Sequence, residues 1–283
     1  MTIKRITVTI KPEHLKRIDG MVGKAGIRNR SHAVEQLLLK SMSKNDLDTV
    51  IVLAGGEGVS LRPITYEIPK PLIPIHGKPV LEHQIAMLEK HGIKHIILAV
   101  GYMKDKIKEY FGHEFRGMSI DYAEEDKPLG TGGPLLLAKK YIKSTVAVMN
   151  VDTLMEPDIQ KIYEFHRDQG RLATILLVTS SDPQGLGVAK INGNVVTEFV
   201  EKPKKAKSNL VNAGFYIIEP ELLRSMPKGR FMLEDFFNQL AKKGQLSGFV
   251  YDEEVFDIGT HAGYARAIKE WKPHENFIMK KTR

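Results

Sequence analysis

Thr49-Val50-Ile51-Val52-Leu53-Ala54-Gly55-Gly56-Glu57-Gly58 is an unbroken apolar run that empties into a glycine-rich turn. An apolar segment of this length without alternation fits a strand covered on both faces, as in a parallel sheet flanked by helices. Glycines placed directly after such a strand let the backbone approach a ligand closely, and successive N–H groups there suit an anion. Downstream the hydrophobic period alternates between strand and helix. It predicts helices over 80–91, 104–111, 133–142 and 157–168, and strands over 95–100, 118–123, 145–149 and 172–179. Repeated strand–helix units imply an α/β domain with a mixed, mostly parallel sheet, helices on both faces, and ligands at the carboxyl ends of the strands.

The turn lacks the G-x-G-x-x-G order of a dinucleotide-binding loop. It continues as Leu61-Arg62-Pro63-Ile64-Thr65 and Pro69-Lys70-Pro71-Leu72. Further along come Pro128-Leu129-Gly130-Thr131-Gly132, Asn150-Val151-Asp152, Gly187-Val188, Phe199-Val200-Glu201-Lys202-Pro203, Asn212-Ala213-Gly214 and Asp257-Ile258-Gly259-Thr260. In this order, across residues 49–271, the motifs resemble those of the sugar-1-phosphate nucleotidyltransferases, the GDP-mannose pyrophosphorylase-like group included. The resemblance implies the Rossmann-like nucleotide-diphospho-sugar transferase fold. It also implies a reaction in which a sugar-phosphate oxygen attacks the α-phosphorus of a nucleoside triphosphate and pyrophosphate leaves. Both reactants are polyanions, so such a site must neutralise charge and align them.

By the same resemblance, Leu53, Ala54, Gly55, Gly56, Gly58, Arg62, Lys70, Glu125 and Gly130 would line the nucleotide. Lys70 would face the α-phosphate. Asp152 and Asp257 would share Mg²⁺, a hard cation that prefers carboxylate oxygens. Lys70, Asp152 and Asp257 would form the catalytic set, while Gly187, Glu201, Lys202 and Asn212 would hold the sugar and its phosphate. Glu125 stands where relatives using uridine or thymidine triphosphate tend to carry glutamine. A carboxylate only accepts hydrogen bonds, which suits the N1–H and N2–H₂ of guanine. Glu124 is the alternative owner of that role.

The chain departs from the pattern at Val59 and Ser60, which occupy the usual threonine and arginine positions, and at Val151, where glycine is common. Losing one preorganised cationic donor lowers rates by roughly 10²–10³. Arg62, two residues on, is placed to compensate, and Val151 is expected to crowd the backbone beside the metal. Two readings follow: a working transferase, or a regulator whose transferase-like domain senses a nucleotide or nucleotide sugar. The short polar tail after residue 271 gives no expectation of the acyltransferase domain found in some relatives. His76, His83, His91, His95, His166 and His261 show no ligand spacing and read as surface or packing residues.

Residues 1–45 are a different module, expected to join through a linker at 46–48 to a transferase domain over 49–283. They hold ten Lys/Arg against Glu13, Asp19 and Glu35, a net +7 of the chain's +8. Ile6, Val8 and Ile10 alternate with Arg5, Thr7 and Thr9 as in a strand. Pro12 suits a helix start, and Leu15, Ile18, Met21 and Val22 recur at helical spacing up to Gly26. Ser31 is expected to cap a second helix carrying Ala33, Val34, Leu37 and Leu38. This pattern over residues 3–43 resembles the ribbon-helix-helix DNA-binding family, which implies a homodimer with paired strands in the major groove. Arg5, Thr7 and Thr9 would then read bases. The other reading is a dimerisation clip alone.

Composition narrows the remaining classes. Without cysteine the chain has neither disulfides nor thiol catalysis. No apolar run approaches the roughly 18–20 residues of a membrane span, and residues 1–5 do not lead into a signal-peptide core. A cytoplasmic protein is expected.

Overall fold

The computed structural model describes residues 7–23, 27–42 and 47–272. Two compact units divide the chain, Met1–Asp46 and Leu47–Arg283.

In the first unit, helix α1 (Pro12–Asp19) opens on a proline, whose missing N–H is harmless in a first turn, and ends at Gly20. Helix α2 spans Arg30–Met42. Its cap is Asn29, whose Oδ1 accepts from His32 N at 2.9 Å, rather than Ser31, which lies one residue inside the helix. The Arg30 guanidinium clamps Asp19 with two hydrogen bonds, of 2.5 and 2.8 Å. Ile18 and Ala33 are buried. Residues 7–10 carry no strand in the single chain. Arg5, Ile6 and Gly26 lie outside the described residues, as does the side chain of Leu38.

The second unit begins with strand β1 (Thr49–Leu53), followed by α3 (Ile64–Glu67), β2 (Pro74–Ile75), β3 (Lys78–Pro79), α4 (Val80–Lys90), β4 (His95–Val100) and α5 (Lys104–Phe111). Next come β5 (Glu114–Phe115), β6 (Met118–Glu124), α6 (Gly133–Ala138), β7 (Val146–Asn150), β8 (Thr153–Leu154), α7 (Ile159–Gln169) and β9 (Ala173–Thr179). The chain continues through β10 (Gly187–Asn192), β11 (Val195–Glu201), β12 (Leu210–Ile218), α8 (Leu222–Ser225), α9 (Leu233–Lys242), β13 (Leu246–Val250), β14 (Phe256–Asp257) and α10 (His261–Glu270). Ten strands form one sheet in the order β10-β11-β13-β9-β12-β7-β1-β4-β6-β5.

The sheet is mixed, and the expectation of a mostly parallel one is corrected. Pairings β7–β1, β1–β4, β4–β6 and β9–β13 are parallel. Strand β12 runs antiparallel to both β7 and β9, and β10–β11 is an antiparallel hairpin. Strand–helix alternation stops at α7, and the two-residue turn between β10 and β11 permits only antiparallel pairing.

Alternate residues of the central strands feed two cores. Val50 and Val52 face a core with α4, α5 and α7, whereas Ile51 faces the one containing α6, α8 and α9. The sheet is therefore buried on both faces, which is why β1 reads as a continuous apolar run. The chain passes from β1 outward to β4 and β6 and returns to β7 on the other side. That reversal opens a crevice at the carboxyl end of β1, where the glycine-rich turn lies. Leu47, expected in the linker, is 1% exposed and belongs to the first of these cores.

If Leu47 is a core residue, Leu47→Ala should destabilise the large unit by about 2–5 kcal/mol in urea denaturation. A linker residue would change stability by less than about 0.5 kcal/mol.

Candidate active site

Each side chain at the crevice is placed by a strand end. After β1, Ala54 N donates to Ala99 O at 2.8 Å, and Gly55 O accepts from Tyr102 N at 3.1 Å. The turns after β1 and β4 thus stack directly, with Gly101 so near Gly55 O that a Cβ there would lie 3.0 Å from it. Gly58 adopts φ +64°, and a Cβ on it would lie 2.7 Å from Thr65 Cγ2 and 2.9 Å from Lys70 Cγ. Thr65 Oγ1 donates to Gly58 O at 2.8 Å and fixes that turn.

Arg62 does not stand free beside the turn. Its guanidinium pairs with Glu57 at 3.0 Å and lies over the Tyr66 ring, and the side chain remains partly exposed. It cancels a carboxylate within the glycine loop instead of adding a new positive charge. Val59 and Ser60 are exposed on the same turn.

Lys70 Nζ meets Asp152 Oδ2 at 2.6 Å, with both side chains mostly shielded. Asp152 follows β7, and Asp257 closes the short antiparallel pair β8–β14 as the register partner of Thr153. Ile258 N donates to Asp152 O at 2.8 Å, which ties the two aspartates' backbones together. Gly259 lies between the carboxylates: a Cβ there would be 2.9 Å from Asp257 Oδ1 and 3.2 Å from Asp152 Oδ2. Gly259 N also donates to Asp257 Oδ1 at 2.7 Å. Burial, and then the charge of Asp152, hold the Asp257 carboxyl above the usual carboxylate range, against the pull of Gly259 N–H and Lys70.

Two carboxylates converging on one point offer hard oxygen donors, and the missing Cβ of Gly259 leaves space between them. This donor set fits a divalent cation such as Mg²⁺, with two protein ligands and the rest of its shell left to phosphate and water. Val151 does not crowd this place, contrary to expectation, because its side chain is 4% exposed and packs into the core.

Glu125 lies on the nucleotide-loop side. Its Oε2 accepts from Leu129 N at 2.8 Å, while Oε1 would be 2.6 Å from a Cβ on Gly55. Burial raises its carboxyl above the ordinary range, and the Leu129 amide opposes that rise. Glu124 is engaged elsewhere, by Lys108 at 2.8 Å and Lys104 at 3.1 Å. Gly130, at φ +76°, lies under Phe231, and a Cβ there would collide with Phe231 O.

The sugar-side residues also meet. Gly187 and Glu201 are register partners in β10–β11. A Cβ on Gly187 would sit 2.6 Å from Glu201 Oε2 and 3.4 Å from Asn212 Cβ. Lys202 follows in a left-handed conformation, φ +46°, with its N–H on Leu186 O at 3.0 Å. Asn212 donates to the buried Tyr216 hydroxyl at 2.7 Å and accepts from Gly214 N at 2.9 Å. Burial, then the Glu234 carboxylate, raise the Glu201 carboxyl, while Lys202 lowers it. Thr7 and Thr9 are exposed in the other unit.

The sequence reading missed Gln84. Its buried Nε2 donates to Asn150 O at 2.9 Å and Thr153 O at 2.8 Å, clamping the turn that carries Asp152. Its signal was a polar residue inside the apolar stripe Val80, Leu81, Ile85, Leu88 of α4. Glu234, buried on α9 and bonded to Thr131 Oγ1, was missed as well.

A doubly covered α/β sheet with opposed carboxylates and a lysine at its crevice defines a class of ligand-binding domain. Within that class, the chain belongs to the nucleotidyl transferase family, matched over residues 49–272. It is 36% identical over 217 residues to mannose-1-phosphate guanylyltransferase catalytic subunit beta of Danio rerio, covering 74% of this chain and 60% of that one. It is 35% identical over 216 residues to D-glycero-alpha-D-manno-heptose 1-phosphate guanylyltransferase of Campylobacter jejuni, covering 76% and 96%. HddC from Yersinia pseudotuberculosis superposes with TM-score 0.69 at 32% identity, over 79% of this chain and 99% of that one; it is also known in complex with GMP-PN. The chain thus spans about 60% of the length of several relatives it matches. Among the described residues no helix is long and apolar enough to cross a membrane.

If Gln84 holds the Asp152 turn, Gln84→Leu should cost roughly 2–5 kcal/mol in thermal or chemical denaturation, since two buried carbonyls lose their partner. A loss below about 0.5 kcal/mol would show that water replaces it.

Proposed function

We propose that the large unit is a Mg²⁺-dependent guanylyltransferase acting on a sugar 1-phosphate of manno configuration. The convergence of Lys70, Asp152 and Asp257 around Gly259 carries this reading, because it gathers one cation and two metal-suited carboxylates at the crevice. The two relatives whose names specify mannose and manno-heptose 1-phosphates support the substrate class. Glu125, accepting at the loop that stacks on Gly55, supports guanine.

In this reaction a phosphate oxygen of the sugar phosphate bonds to the α-phosphorus of GTP. The bond from that phosphorus to the α–β bridging oxygen breaks, and pyrophosphate departs with the electron pair. Mg²⁺ held by Asp152 and Asp257 would supply positive charge against the polyphosphate. Lys70, already oriented by Asp152, faces the α-phosphoryl oxygens, and the amides of Gly55, Gly56 and Gly58 take up phosphate charge. Glu201 accepts from sugar hydroxyls, Lys202 pairs with the sugar phosphate, and Gly187 and Asn212 shape the pocket.

The first unit is read as a ribbon-helix-helix module that pairs two copies of the chain and binds DNA through Arg5, Thr7 and Thr9. Its net +7 suits a polyanion, and Val8 and Leu37, 57% and 40% exposed, are apolar groups that a second copy would cover. One observation favours a second reading, in which the large unit senses rather than turns over: Ser60 brings no cation, and Arg62 is spent on Glu57.

Pyrophosphate release measured across four triphosphates and a panel of sugar 1-phosphates tests the proposal. GTP with mannose or manno-heptose 1-phosphate should give the highest kcat/KM. Preference for UTP or dTTP would overturn it, and tight GTP binding without turnover would leave the sensor. Asp152→Asn should lower kcat by at least about 10²-fold without loss of fold; unchanged turnover removes the metal assignment. Glu125→Gln should narrow the preference for GTP over UTP, read as the ratio of their affinities in calorimetry.

A further inference from the structure

Between the nucleotide-side loop and the sugar-side strands lies a buried contact to which neither half of the site has a direct claim. Glu234, in the first turn of α9, is 7% exposed, and its Oε2 accepts from Thr131 Oγ1 at 2.5 Å. Thr131 Oγ1 in turn accepts from Leu233 N at 2.9 Å, so the hydroxyl is held from both directions. The segment before α9 lies across the same loop. Phe231 N donates to Leu129 O and Gly132 N donates to Phe231 O, each at 3.1 Å. Cβ atoms on Gly130, Gly132 and Gly133 would all collide with this cover or with Leu129. The loop from Pro128 to Gly133 is therefore shaped by what α9 brings to it. Leu129, at its start, donates to Glu125, which rests on Gly55.

On its other side α9 packs on the sugar-side strands: Phe237, one turn after Glu234, meets the ring of Phe199, two residues before Glu201 on β11, at 6.1 Å. Phe237 also meets at 4.8 Å the ring of Tyr216, whose hydroxyl Asn212 contacts. Across this packing the Glu234 charge helps raise the Glu201 carboxyl. One buried carboxylate thus touches the loop on the nucleotide side and repels the carboxylate on the sugar side. We propose that Glu234 is a positioning residue that couples the two substrate subsites: it fixes the 128–133 loop through Thr131 and, from a helix packed on β11, brings a negative charge to the Glu201 side of the site. This rests on the reading of Glu125 and Glu201 given under the proposed function.

The two arms separate by chemistry. Thr131→Val removes the hydroxyl at constant volume, leaving the Glu234 carboxylate buried without its donor. Glu234→Gln keeps an acceptor for Thr131 but removes the charge. The charged groups that act on Glu201 are Glu234 and Asp235 from α9, which raise its carboxyl, and the neighbouring Lys202, which lowers it. Burial and the carboxylates keep its pKa raised, so removing the Glu234 charge lowers it and ionised Glu201 persists to lower pH.

Calorimetry with GTP and with GDP-mannose as probes, over a pH series and with melting temperatures alongside, tests the coupling. Thr131→Val should weaken GTP about 10-fold, Thr131→Ser should restore it, and Glu234→Gln should keep GTP within about 2-fold. Glu234→Gln should also move the acid limb of GDP-mannose binding to lower pH, where Thr131→Ser leaves it in place. Equal losses for both probes in Thr131→Val and Glu234→Gln, scaling with the fall in melting temperature, would reduce Glu234 to a structural residue and overturn the proposal. An unmoved acid limb would do the same. These are binding measurements, so a chain that binds GTP without turnover fails the activity reading while the coupling is still decided. A wild type that binds neither probe sinks both.

Discussion

Asp152 and Asp257 are like charges drawn together, and the large unit is arranged around keeping them so. At an effective dielectric near 20, two unit charges about 4 Å apart repel by roughly 4 kcal/mol. The fold meets this with a short ladder, β8–β14, which fixes both backbones, and with Lys70 2.6 Å from one carboxylate. Gln84 holds the intervening turn from below through two carbonyls. Burial, and behind it the Asp152 charge, raises the proton affinity of Asp257. A divalent cation between the two carboxylates would relieve what one lysine relieves only in part.

The second theme is absence of side chains where backbones must touch. Gly55 and Gly101 let the turns after β1 and β4 lie against each other, and Gly58 lets Thr65 and Lys70 approach. Gly130 and Gly132 do the same beneath Phe231, and Gly133 against Leu129 and Gly229. Such positions serve close packing of loops as much as ligand approach. Gly56, by contrast, has nothing within 4 Å of its would-be Cβ and stands open toward solvent. Of the loop glycines it is the one whose surroundings leave most space for a bound group.

Much of this was legible in the sequence because its signals are local. Strand β1, helices α4 and α5, and strands β4 and β9 fall within a residue or two of their expected places, since apolar period and glycine position encode them directly. The carboxylates and Lys70 were visible through their motifs, and the structure brings them together although 82 residues separate Lys70 from Asp152. What escaped depends on pairing at a distance. The reversal of β12 between β7 and β9 has no periodic signature, and a strand reads alike in either direction. Gln84 and Glu234 look like ordinary helix residues until the elements they face are known. Arg62 was expected to reach toward phosphate; the nearby Glu57 captured it, a choice between partners that composition does not announce. Ser31 lost the capping role to Asn29, two residues earlier, because the helix starts at Arg30, two residues sooner than a cap at Ser31 implies.

The chain contains a single tryptophan, Trp271, at the end of α10. Trp271 is 6% exposed, its ring meets Phe256 edge-on at 5.6 Å, one residue from Asp257, and among the described residues its buried indole N–H meets no hydrogen-bond partner. The chromophore is thus held against the strand that carries one of the two paired carboxylates. Any shift of β14 on cation binding alters the field and packing around the indole. The protein's intrinsic emission is in effect an optical gauge of that corner of the site, free of interference from other indoles.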